Sequence, residues 1–385
     1  MNSKNRSSIS TIVIDNGGES VRIGNAGDEA PREIVPSIIG YSKFPSLEVA
    51  IDKCYYYIGE KAFAKRGLLN IGYPIKKRKI VDFDAMEKIW HAAMFEALKA
   101  NPDEHAVLLT ESCEYTAECR QKCAEIFFEN FNVPSLYIGN QGSLGLFATG
   151  STKGVVLDSG EGGTHVIPVF EGYVSPYSVI SSPISGEAIT DRLLKLLIEK
   201  GLTFSRHYDF DVIKKIKEQK CYISTDFEKE MLEFHEKANT KDILYELPDG
   251  QSINLNKEQI EAPELLFNPG SLVSAADGNE AMGIGELIYR SYFSIDTEIK
   301  KTLFDKIVLT GGNTLFPNIA ERVSKSIRAL GGNSVSFRLF CPAERKYSAW
   351  IGGSILACLT PFEAMWISKA EYEENGPDII NIKRI

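Results

Sequence analysis

Two segments of the chain combine an aspartate with a glycine turn, a pattern that suits phosphate chemistry. They are IVIDNGGESVRIG, residues 12–24, and VVLDSGEGGTHVIPV, residues 155–169. In each, an apolar strand ends at an aspartate, a glycine-containing turn follows, and a second strand begins. Such a turn can direct several backbone N–H groups towards one anion, because glycine allows a close approach of the backbone. The two segments therefore predict a pair of hairpins that bind a polyphosphate from two sides.

The charged residues of these turns extend the chemistry to a metal ion. Asp15 and Asp158 end the two strands, where a carboxylate can hold the water shell of a phosphate-bound Mg²⁺. Arg22, on the strand that leaves the first turn, can reach the same phosphates as a fixed cation. One Asp-x-Gly turn is more often a plain hairpin. Two copies with matching flanks, about one domain length apart, favour a duplicated unit.

A third glycine element is KIVLTGGNTLFPNI, residues 306–319. It predicts a strand, the pair Gly311-Gly312, and a helix that begins near Pro317. A ribose or a base can pack against such bare backbone. The alternative, which the residues leave open, is a simple strand-to-helix turn.

Length and composition limit the class of protein. The chain has 385 residues, which predicts two or three domains, and 43% of them are hydrophobic. Its net charge of −9 gives no overall attraction to nucleic acid or to an anionic membrane. No run approaches 18 apolar residues, and the start lacks the pattern of a signal peptide. We therefore expect no direct nucleic-acid binding and no membrane insertion.

The seven cysteines are scattered and contain no CxxC pair. The spacing closest to a metal pattern is that of Cys119 and Cys123, one helical turn apart. Structural zinc sites usually show paired close spacings. The cysteines are therefore expected to be reduced thiols of a cytosolic or nuclear protein.

Apolar runs of strand length alternate with amphipathic stretches, which predicts an α/β protein. The predicted strands cover residues 9–15, 106–110, 154–158, 164–170 and 306–310. The predicted helices cover residues 84–100, 116–131, 186–201, 209–221 and 318–330. No Gly/Ser linker separates the halves, so two domains are expected to pack together and to be joined by more than one crossing.

A series of segments resembles the actin family in order and in spacing, from about Ile9 to the C-terminus. They include IDNGGESVRIGNAGDEAPREIVPSIIG, VVLDSGEGGTH, YELPDG, VLTGGNTLFP, ERKYSAWIGGSILA and MWISKAEYEENGP. The resemblance implies an actin-like ATPase fold, with two duplicated α/β domains (four subdomains) around a nucleotide cleft. The outer domain would hold residues 1–148 and 347–385 with an insert at about 37–73. The inner domain would hold residues 149–346 with an insert at about 185–284.

The resemblance also implies roles for individual residues. Asp15 and Asp158 would lie around Mg²⁺, Gln141 would orient the attacking water, and His165 would lie near that water. The remaining positions would contact the nucleotide: Gly17, Gly18 and Arg22 in the first phosphate loop, Gly160, Glu161 and Gly162 in the second, Lys217 and Glu218 at the adenosine, Gly311, Gly312 and Asn313 beneath the nucleotide, and Lys346 at the base. Without the resemblance, Gln141 reads as a helix cap and His165 as a hydrogen-bonded strand histidine.

Five residues of the cleft depart from the family pattern. Glu19 stands where the first loop has glycine, Gly18 lacks the usual hydroxyl, and Arg22 replaces lysine. Glu161 replaces aspartate and Glu187 replaces arginine. A carboxylate at 4 Å from a phosphate charge costs about 4 kcal/mol at an effective dielectric constant of about 20. Glu19 therefore either weakens nucleotide binding, points outward, or helps to bind the cation.

Surface segments depart as well. Residues 44–57 correspond to the loop that docks into the next subunit of an actin filament, and here they carry added acids and three tyrosines. Residues 268–286 are longer and less apolar than in actin, and Lys4 and Arg6 stand in place of an acidic tail, which weakens the expectation of myosin binding. The basic run KKRK, residues 76–79, is either a solvated loop or a patch for nuclear import or an acidic partner.

Together these observations predict a protein that binds ATP or ADP with Mg²⁺, hydrolyses ATP slowly at most, and acts by polymerisation or complex assembly. Its partners would be copies of itself, other actin-like subunits and actin-binding proteins, in the cytoskeleton of the cytoplasm, with the nucleus as a second compartment. The alternative is a non-filament subunit of a dynactin-type or chromatin-remodelling complex. A sugar kinase would need a carboxylate base, and an Hsp70-type chaperone a peptide-binding region; no motif supplies either.

Overall fold

The computed structural model describes residues 10–43, 55–236, 243–247, 250–270, 281–332 and 335–383, apart from a few side chains. The chain divides into two compact units. The first comprises Met1–Val156, Val169–Tyr177 and Tyr347–Ile385, and the second comprises Leu157–Pro168 and Ser178–Lys346. The division into four subdomains with the boundaries given above stays a prediction.

The strands of the described residues are short, most of them two to six residues long. They are β1 Thr11–Asn16, β2 Ser20–Asn25, β3 Glu33–Pro36, β4 Ile39–Ser42, β5 Tyr56–Ile58, β6 Leu69–Gly72, β7 Ile75–Lys76, β8 Lys79–Ile80, β9 Ala106–Glu111, β10 Ser135–Asn140, β11 Gly154–Ser159, β12 Thr164–Phe170, β13 Tyr173–Val174, β14 Ile180–Ser182, β15 Ile243–Glu246, β16 Ser252–Leu255, β17 Ile307–Thr310, β18 Leu339–Phe340 and β19 Ile367–Ser368.

The α-helices lie between these strands. They are α1 Glu60–Ala64, α2 Phe83–His91, α3 Ala117–Glu125, α4 Gln141–Phe147, α5 Gly186–Glu199, α6 Arg206–Lys220, α7 Phe227–Glu236, α8 Glu258–Glu261, α9 Ile284–Ser294, α10 Thr297–Phe304, α11 Ile319–Gly331, α12 Ser348–Ala357, α13 Lys369–Asn375 and α14 Ile379–Ile382.

A six-stranded sheet in the order β19-β10-β9-β1-β2-β3 forms the centre of the first unit. Strand β1 runs parallel to β9 and antiparallel to β2, and β9 runs parallel to β10. All six residues of β9 are buried, as expected of a strand that is covered on both faces. The parallel arrangement brings the carboxyl ends of β1 and β9 to the same edge, which is where Asp15 lies.

Large side chains fill the core of the first unit. Trp90 and Phe127 are fully buried with ring centroids 5.0 Å apart. Trp350 is also fully buried, and its indole N–H donates to the carbonyl of Val13 at 3.0 Å. This bond satisfies the polar group of a buried tryptophan and fixes α12 against β1.

Helix starts are marked by polar caps that the sequence supplies. Asp82 accepts from the amide of Ala85, and Thr116 accepts from the amide of Cys119. Ser368 forms a capping box with Glu371. Each cap satisfies a backbone donor that the first helical turn leaves without a partner.

The second unit repeats part of this design. Strands β12, β11, β17 and β18 lie side by side in that order, β14 pairs with β12, and β17 runs parallel to β18. Helices α5 and α6 pack against each other, with Leu193 and Ile213 among their fully buried residues. The β11–β12 hairpin corresponds to the β1–β2 hairpin of the first unit, and this correspondence confirms the duplicated hairpin.

The predicted elements agree with the structure to within a few residues, and the α/β class is confirmed. Two predicted α-helices continue as π-helices at their C-terminal ends. The stretch predicted as 84–100 is α2 followed by a π-helix, Ala92–Leu98, and the stretch predicted as 116–131 is α3 followed by a π-helix, Ile126–Asn130. Apolar periodicity does not distinguish these two hydrogen-bond patterns over one or two turns.

Some of the predicted surface features lie outside the described residues. They are residues 44–54, residues 271–280, Lys4 and Arg6. The basic run at residues 76–79 is described and forms the β7–β8 hairpin, with Lys76 opposite Lys79 and with Lys77 and Arg78 at positive φ.

We predict that Gly352→Ala destabilises the first unit far more than Gly353→Ala. A Cβ on Gly352 would lie 1.7 Å from the carbonyl oxygen of Leu144 in α4, so α4 and α12 would have to separate. A Cβ on Gly353 would meet only the side chains of Leu108 and Val13, both at 3.1 Å. Chemical denaturation should show a loss of more than about 3 kcal/mol for Gly352→Ala. Equal losses in the two variants would contradict this account of the helix contact.

Candidate functional site

The carboxylate of Asp15 lies near the end of β1, beside the turn that joins β1 to β2, which we call the first loop. Asp15 is 2% exposed and belongs to β1. Its Oδ2 accepts from Arg22 Nη1 at 2.6 Å, and its Oδ1 accepts from Thr110 Oγ1 at 2.8 Å and from Gln141 Nε2 at 3.0 Å. Three elements, β2, β9 and α4, therefore hold this one side chain.

Arg22 supplies the cation of the first loop. Its side chain is 12% exposed. Burial alone would lower the pKa of Arg22, but the charge and the hydrogen bond of Asp15, with a smaller contribution from Glu19, raise it. The guanidinium therefore stays charged. Glu19 is partly buried and within electrostatic range of Arg22, which offsets part of its negative charge at this loop.

The backbone of the first turn is closely packed at one glycine and open at the next. The amide of Gly17 donates to the carbonyl of Ser20 at 3.2 Å, and a Cβ on Gly17 would lie 2.7 Å from that oxygen. A Cβ on Gly18 would meet only Ile75 of the basic hairpin, at 3.6 Å. Gly17 is therefore required by the turn itself, whereas Gly18 leaves space beside the loop.

Gln141 contacts the aspartate rather than capping its helix. Its Nε2 also reaches the carbonyl of Asn16 and Thr110 Oγ1, both at 3.3 Å. The cap of α4 is Asn140, whose Oδ1 accepts from the amide of Gly142 at 2.9 Å. The helix-cap interpretation of Gln141 is therefore wrong, because the preceding residue already performs that role.

Asp158 occupies the equivalent place in the second loop. It is 9% exposed, and its Oδ1 accepts from Thr310 Oγ1 at 3.2 Å. Gly311 follows this threonine with φ at +87°, and a Cβ there would lie 2.3 Å from the carbonyl oxygen of Ser159 and 2.7 Å from Asp158 Oδ1. Glycine is the residue that fits such a conformation and such a close approach. The third glycine element thus packs directly against the second loop.

Asn313 ties these two elements together. Its Nδ2 donates to the carbonyl of Gly160 at 2.9 Å and to Ser159 Oγ at 3.1 Å. The amide of Gly160 donates to the carbonyl of Gly163 at 3.0 Å, which closes the turn around Glu161 and Gly162. These hydrogen bonds within the protein give the loop a defined conformation.

Glu161 extends away from the turn towards two lysines of α6. Its carboxylate oxygens lie 3.9 Å from Lys214 Nζ and 3.9 Å from Lys217 Nζ. Lys217 is buried and also donates to the carbonyl of Gly186 at 2.8 Å. A Cβ on Gly186 would lie 2.4 Å from Glu161 Oε2. Two cations of α6 thus hold the glutamate beside the first residue of α5.

The other residues predicted for the site differ from one another in burial. His165 is buried on β12 opposite Ser181. Gly312 and Glu218 are exposed, and Lys346 is half-buried in the turn before α12. Glu187 is exposed on the first turn of α5. The structure brings Asp15, Arg22 and Gln141 together in one unit; in the other it brings together Asp158, Gly160, Glu161, Lys217, Gly311 and Asn313.

Two threonines of the site were missed by the sequence analysis. Thr110 and Thr310 each lie at the carboxyl end of a buried strand, and each donates its hydroxyl to the loop aspartate of its own unit. A signal was present in the segments LLTE and VLTG, where a threonine follows an apolar run and precedes a polar residue or glycine. Lys214, which pairs with Glu161, gave no comparable signal.

The order of strands and helices defines a mixed α/β protein with the actin-like ATPase fold. A comparison with protein families gives the same answer, because the family model described as Actin matches residues 6–385. The chain belongs to the actin family. Members of this family generally bind ATP or ADP with a divalent cation. Among the residues that the structure describes, no helix has both the length and the apolar character needed to cross a membrane.

We predict that Arg22→Met costs about 3–5 kcal/mol of folding free energy, because it leaves the buried carboxylate of Asp15 without its cation. Arg32 provides a matched control. It forms a similar 2.6 Å ion pair with Asp28, but its side chain is 54% exposed, so Arg32→Met should change stability much less.

Adding Asp15→Asn to Arg22→Met should restore part of the loss, because the buried charge is then removed. Urea denaturation of the single and double variants measures these differences. A loss for Arg32→Met as large as that for Arg22→Met would refute the assignment.

Proposed function

We propose that this protein binds ATP or ADP with Mg²⁺ through its two aspartate-bearing glycine loops, hydrolyses ATP slowly at most, and acts by assembly. One observation carries the proposal. Each unit presents a buried aspartate at the end of a hairpin strand, and a threonine at the end of a second strand donates to it. The same arrangement in both units supports a shared ligand chemistry rather than two unrelated turns.

The residues present fit a polyphosphate. Gly17 and Gly311 occupy places where a Cβ would collide with neighbouring carbonyl oxygens. The backbone is therefore bare at the first loop and at the third glycine element, which packs against the second loop. Arg22 remains charged beside the first loop, and Lys214 and Lys217 lie beside the second. Bare backbone and fixed cations are the groups that bind phosphate oxygens.

The residues also fit the coordination that Mg²⁺ prefers in nucleotide sites. Among the described residues, no cluster of three or more His, Cys, Asp or Glu side chains is arranged as a metal cage. Mg²⁺ keeps several waters and usually takes one or two carboxylates together with the phosphates of its nucleotide. Asp15 and Asp158 supply such carboxylates. Both oxygens of Asp15 already accept hydrogen bonds, so contact through water suits Asp15 best.

Slow hydrolysis follows from the groups assigned to the attacking water. Mg²⁺, when bound, supplies neutralisation of the charge that develops on the phosphates. Gln141 can donate a hydrogen bond to a water but cannot take its proton, because an amide is not a base. His165 is the second group that we assign to this water, and an imidazole can accept the proton only when it is neutral. Positioning without a strong base favours a low rate.

The residues that depart from the family pattern change the charge of this site but are compatible with nucleotide binding. The contribution of Glu19 to the electrostatics of Arg22 supports the view that Arg22 partly neutralises Glu19. Glu161 reaches two lysines of α6 with its longer side chain, and these lysines balance its charge. We therefore propose that nucleotide binding is retained and that discrimination of the terminal phosphate is weaker than usual, because Gly18 offers no hydroxyl.

We propose that the nucleotide-bound protein acts by assembling with partner subunits. The partners are copies of this chain, other actin-like subunits and actin-binding proteins, in the cytoskeleton of the cytoplasm, with the nucleus as a second compartment. Membership of the actin family supports assembly of this general kind. The alternative is a non-filament subunit of a dynactin-type or chromatin-remodelling complex.

We predict that Mg²⁺·ATP raises the melting temperature and that chelation with EDTA reverses the rise. Ligand binding to the folded state alone contributes about 2.7 kcal/mol at a hundred-fold excess over the dissociation constant. Thermal melting with and without millimolar ATP measures this effect. The absence of a shift at millimolar Mg²⁺·ATP would refute nucleotide binding.

The same assay distinguishes the two acidic residues of the second loop. Asp158→Ala should increase the Mg²⁺ concentration needed for the shift more than Glu161→Ala, because Asp158 ends the strand whereas Glu161 turns away to Lys214 and Lys217. Equal dependence on Mg²⁺ in the two variants would count against Asp158 as the metal residue.

We predict that the protein sediments in a concentration-dependent manner with Mg²⁺·ATP. A polymer appears only above a threshold concentration, so the pelleted fraction should rise steeply beyond it and fall when the sample is diluted. Ultracentrifugation over a hundred-fold range of concentration tests this outcome. A monomer at every concentration, in a sample whose melting responds to ATP, would instead support a non-filament complex subunit.

A further inference from the structure

Ser37 is a buried residue that contacts the first loop at two points. It is 0% exposed and directly follows Pro36, the last residue of β3. Its hydroxyl donates to the carbonyl of Gly17 at 2.7 Å, and its amide donates to the carbonyl of Glu19 at 3.0 Å. One residue from outside the β1–β2 hairpin thus holds two carbonyl groups of the loop.

The pairing of β3 with β2 places Ser37 at the loop. Pro36 lies opposite Ser20, the first residue of β2. Ser37 is the next residue along β3, and its amide therefore meets Glu19, which precedes Ser20. Beyond Ser37 the chain leaves the six-stranded sheet, and β4 begins at Ile39 in a three-stranded sheet. The register of β3 against β2 therefore determines where Ser37 lies.

The two hydrogen bonds fix the orientation of two peptide groups. The C=O and the N–H of a planar trans peptide point in opposite directions, and the described residues contain no cis peptide bond. The carbonyl of Gly17 shares its peptide group with the amide of Gly18, and the carbonyl of Glu19 shares its own with the amide of Ser20. Both amides therefore point away from Ser37.

The amide of Gly18 is a donor that the loop itself does not use. Among the described residues, none accepts a backbone hydrogen bond from it, whereas the amide of Gly17 donates to the carbonyl of Ser20 within the turn. A Cβ on Gly18 would meet only Ile75, at 3.6 Å, so the loop is open at this position. Backbone amides that a turn directs outward bind phosphate oxygens.

We propose that Ser37 is a positioning residue of the phosphate site: it holds the carbonyls of Gly17 and Glu19 on one side of the first loop and thereby presents the amide of Gly18 to a phosphate oxygen. The role rests on the proposed binding of ATP or ADP. Ser37 acts through the loop, because its hydroxyl and its amide are both bonded to loop carbonyls. Gly18 has no side-chain donor, so the direction of its amide decides what this position offers to a phosphate.

Ser354 provides a matched control in the same unit. It is 1% exposed on α12, its hydroxyl donates to the carbonyl of Asp28 at 2.9 Å, and it accepts from the amide of Gly27 at 2.9 Å. Ser354 is thus also a buried serine that holds a turn, but this turn joins β2 to β3 and carries no residue assigned to the nucleotide. Ser37→Ala and Ser354→Ala each deprive one carbonyl of its hydroxyl donor, so both should lower the urea midpoint by similar amounts.

Nucleotide affinity distinguishes positioning from a purely structural role. Calorimetric titration of Mg²⁺·ATP into the nucleotide-free proteins measures the Kd. We expect Ser37→Ala to raise the Kd about ten-fold, which is the size of one hydrogen bond to a charged group. Ser354→Ala should leave the Kd at the wild-type value despite its similar loss of stability.

The amide of Gly18 can also be followed directly by NMR in protein labelled with ¹⁵N-glycine. Gly18→Ala identifies its signal by removing it, and the open space at this position accepts the added methyl group. Mg²⁺·ATP should shift this signal in the wild-type protein. Without nucleotide, the signal should move or broaden in Ser37→Ala, because its peptide group is no longer held, and should keep its wild-type position in Ser354→Ala.

Three outcomes would overturn the role of Ser37. They are an unchanged Kd in Ser37→Ala, a Kd raised equally in Ser354→Ala, and a Gly18 signal that does not respond when the wild-type protein binds ATP. A wild-type protein that does not bind ATP would instead refute the proposed function. The Gly18 signal of nucleotide-free Ser37→Ala would then still show whether Ser37 orients the loop.

Discussion

The buried carboxylate of Asp15 is the constraint on which the first unit depends. Asp15 is 2% exposed. A carboxylate buried to this degree is stable only when it is paired with a cation and hydrogen-bonded. Arg22, Thr110 and Gln141 meet this requirement from β2, β9 and α4. Because these groups come from three elements, the hairpin, the parallel strand and the helix must all be in register for the charge to be tolerated. The site and the fold are therefore specified together.

The second unit repeats the contact between a threonine and an aspartate, but its cations differ. Asp158 receives a threonine hydroxyl, and Gly311 allows the neighbouring backbone to approach the loop more closely than any side chain would permit. No arginine equivalent to Arg22 follows on β12, where His165 and Val166 begin the strand after Thr164. The cations beside this loop are Lys214 and Lys217, and both pair with Glu161. The two loops thus share a plan for the carboxylate and differ in how their own charges are balanced.

Two further features of the first unit lie around this framework. The basic hairpin packs through Ile75 close to Gly18, next to Glu19 in the chain. Helix α3 carries Arg120, which forms a 2.5 Å ion pair with Glu111 at the end of β9. Glu111 directly follows Thr110, the donor to Asp15. A change in α3 therefore lies a few contacts from the carboxylate at the centre of the site.

The sequence by itself determined the α/β class, the duplicated hairpins and the positions of the two aspartates, because strand-length apolar runs and glycine turns are local properties of the chain. Caps such as Thr116 and Ser368 are local in the same way. The tertiary structure alone decided which groups hold the aspartates. Thr110 lies 95 residues from Asp15, and Thr310 lies 152 residues from Asp158. It also assigned the cap of α4 to Asn140 and turned Gln141 towards Asp15. Such contacts depend on strand order and register, which bring distant residues to one sheet edge and which no local pattern encodes.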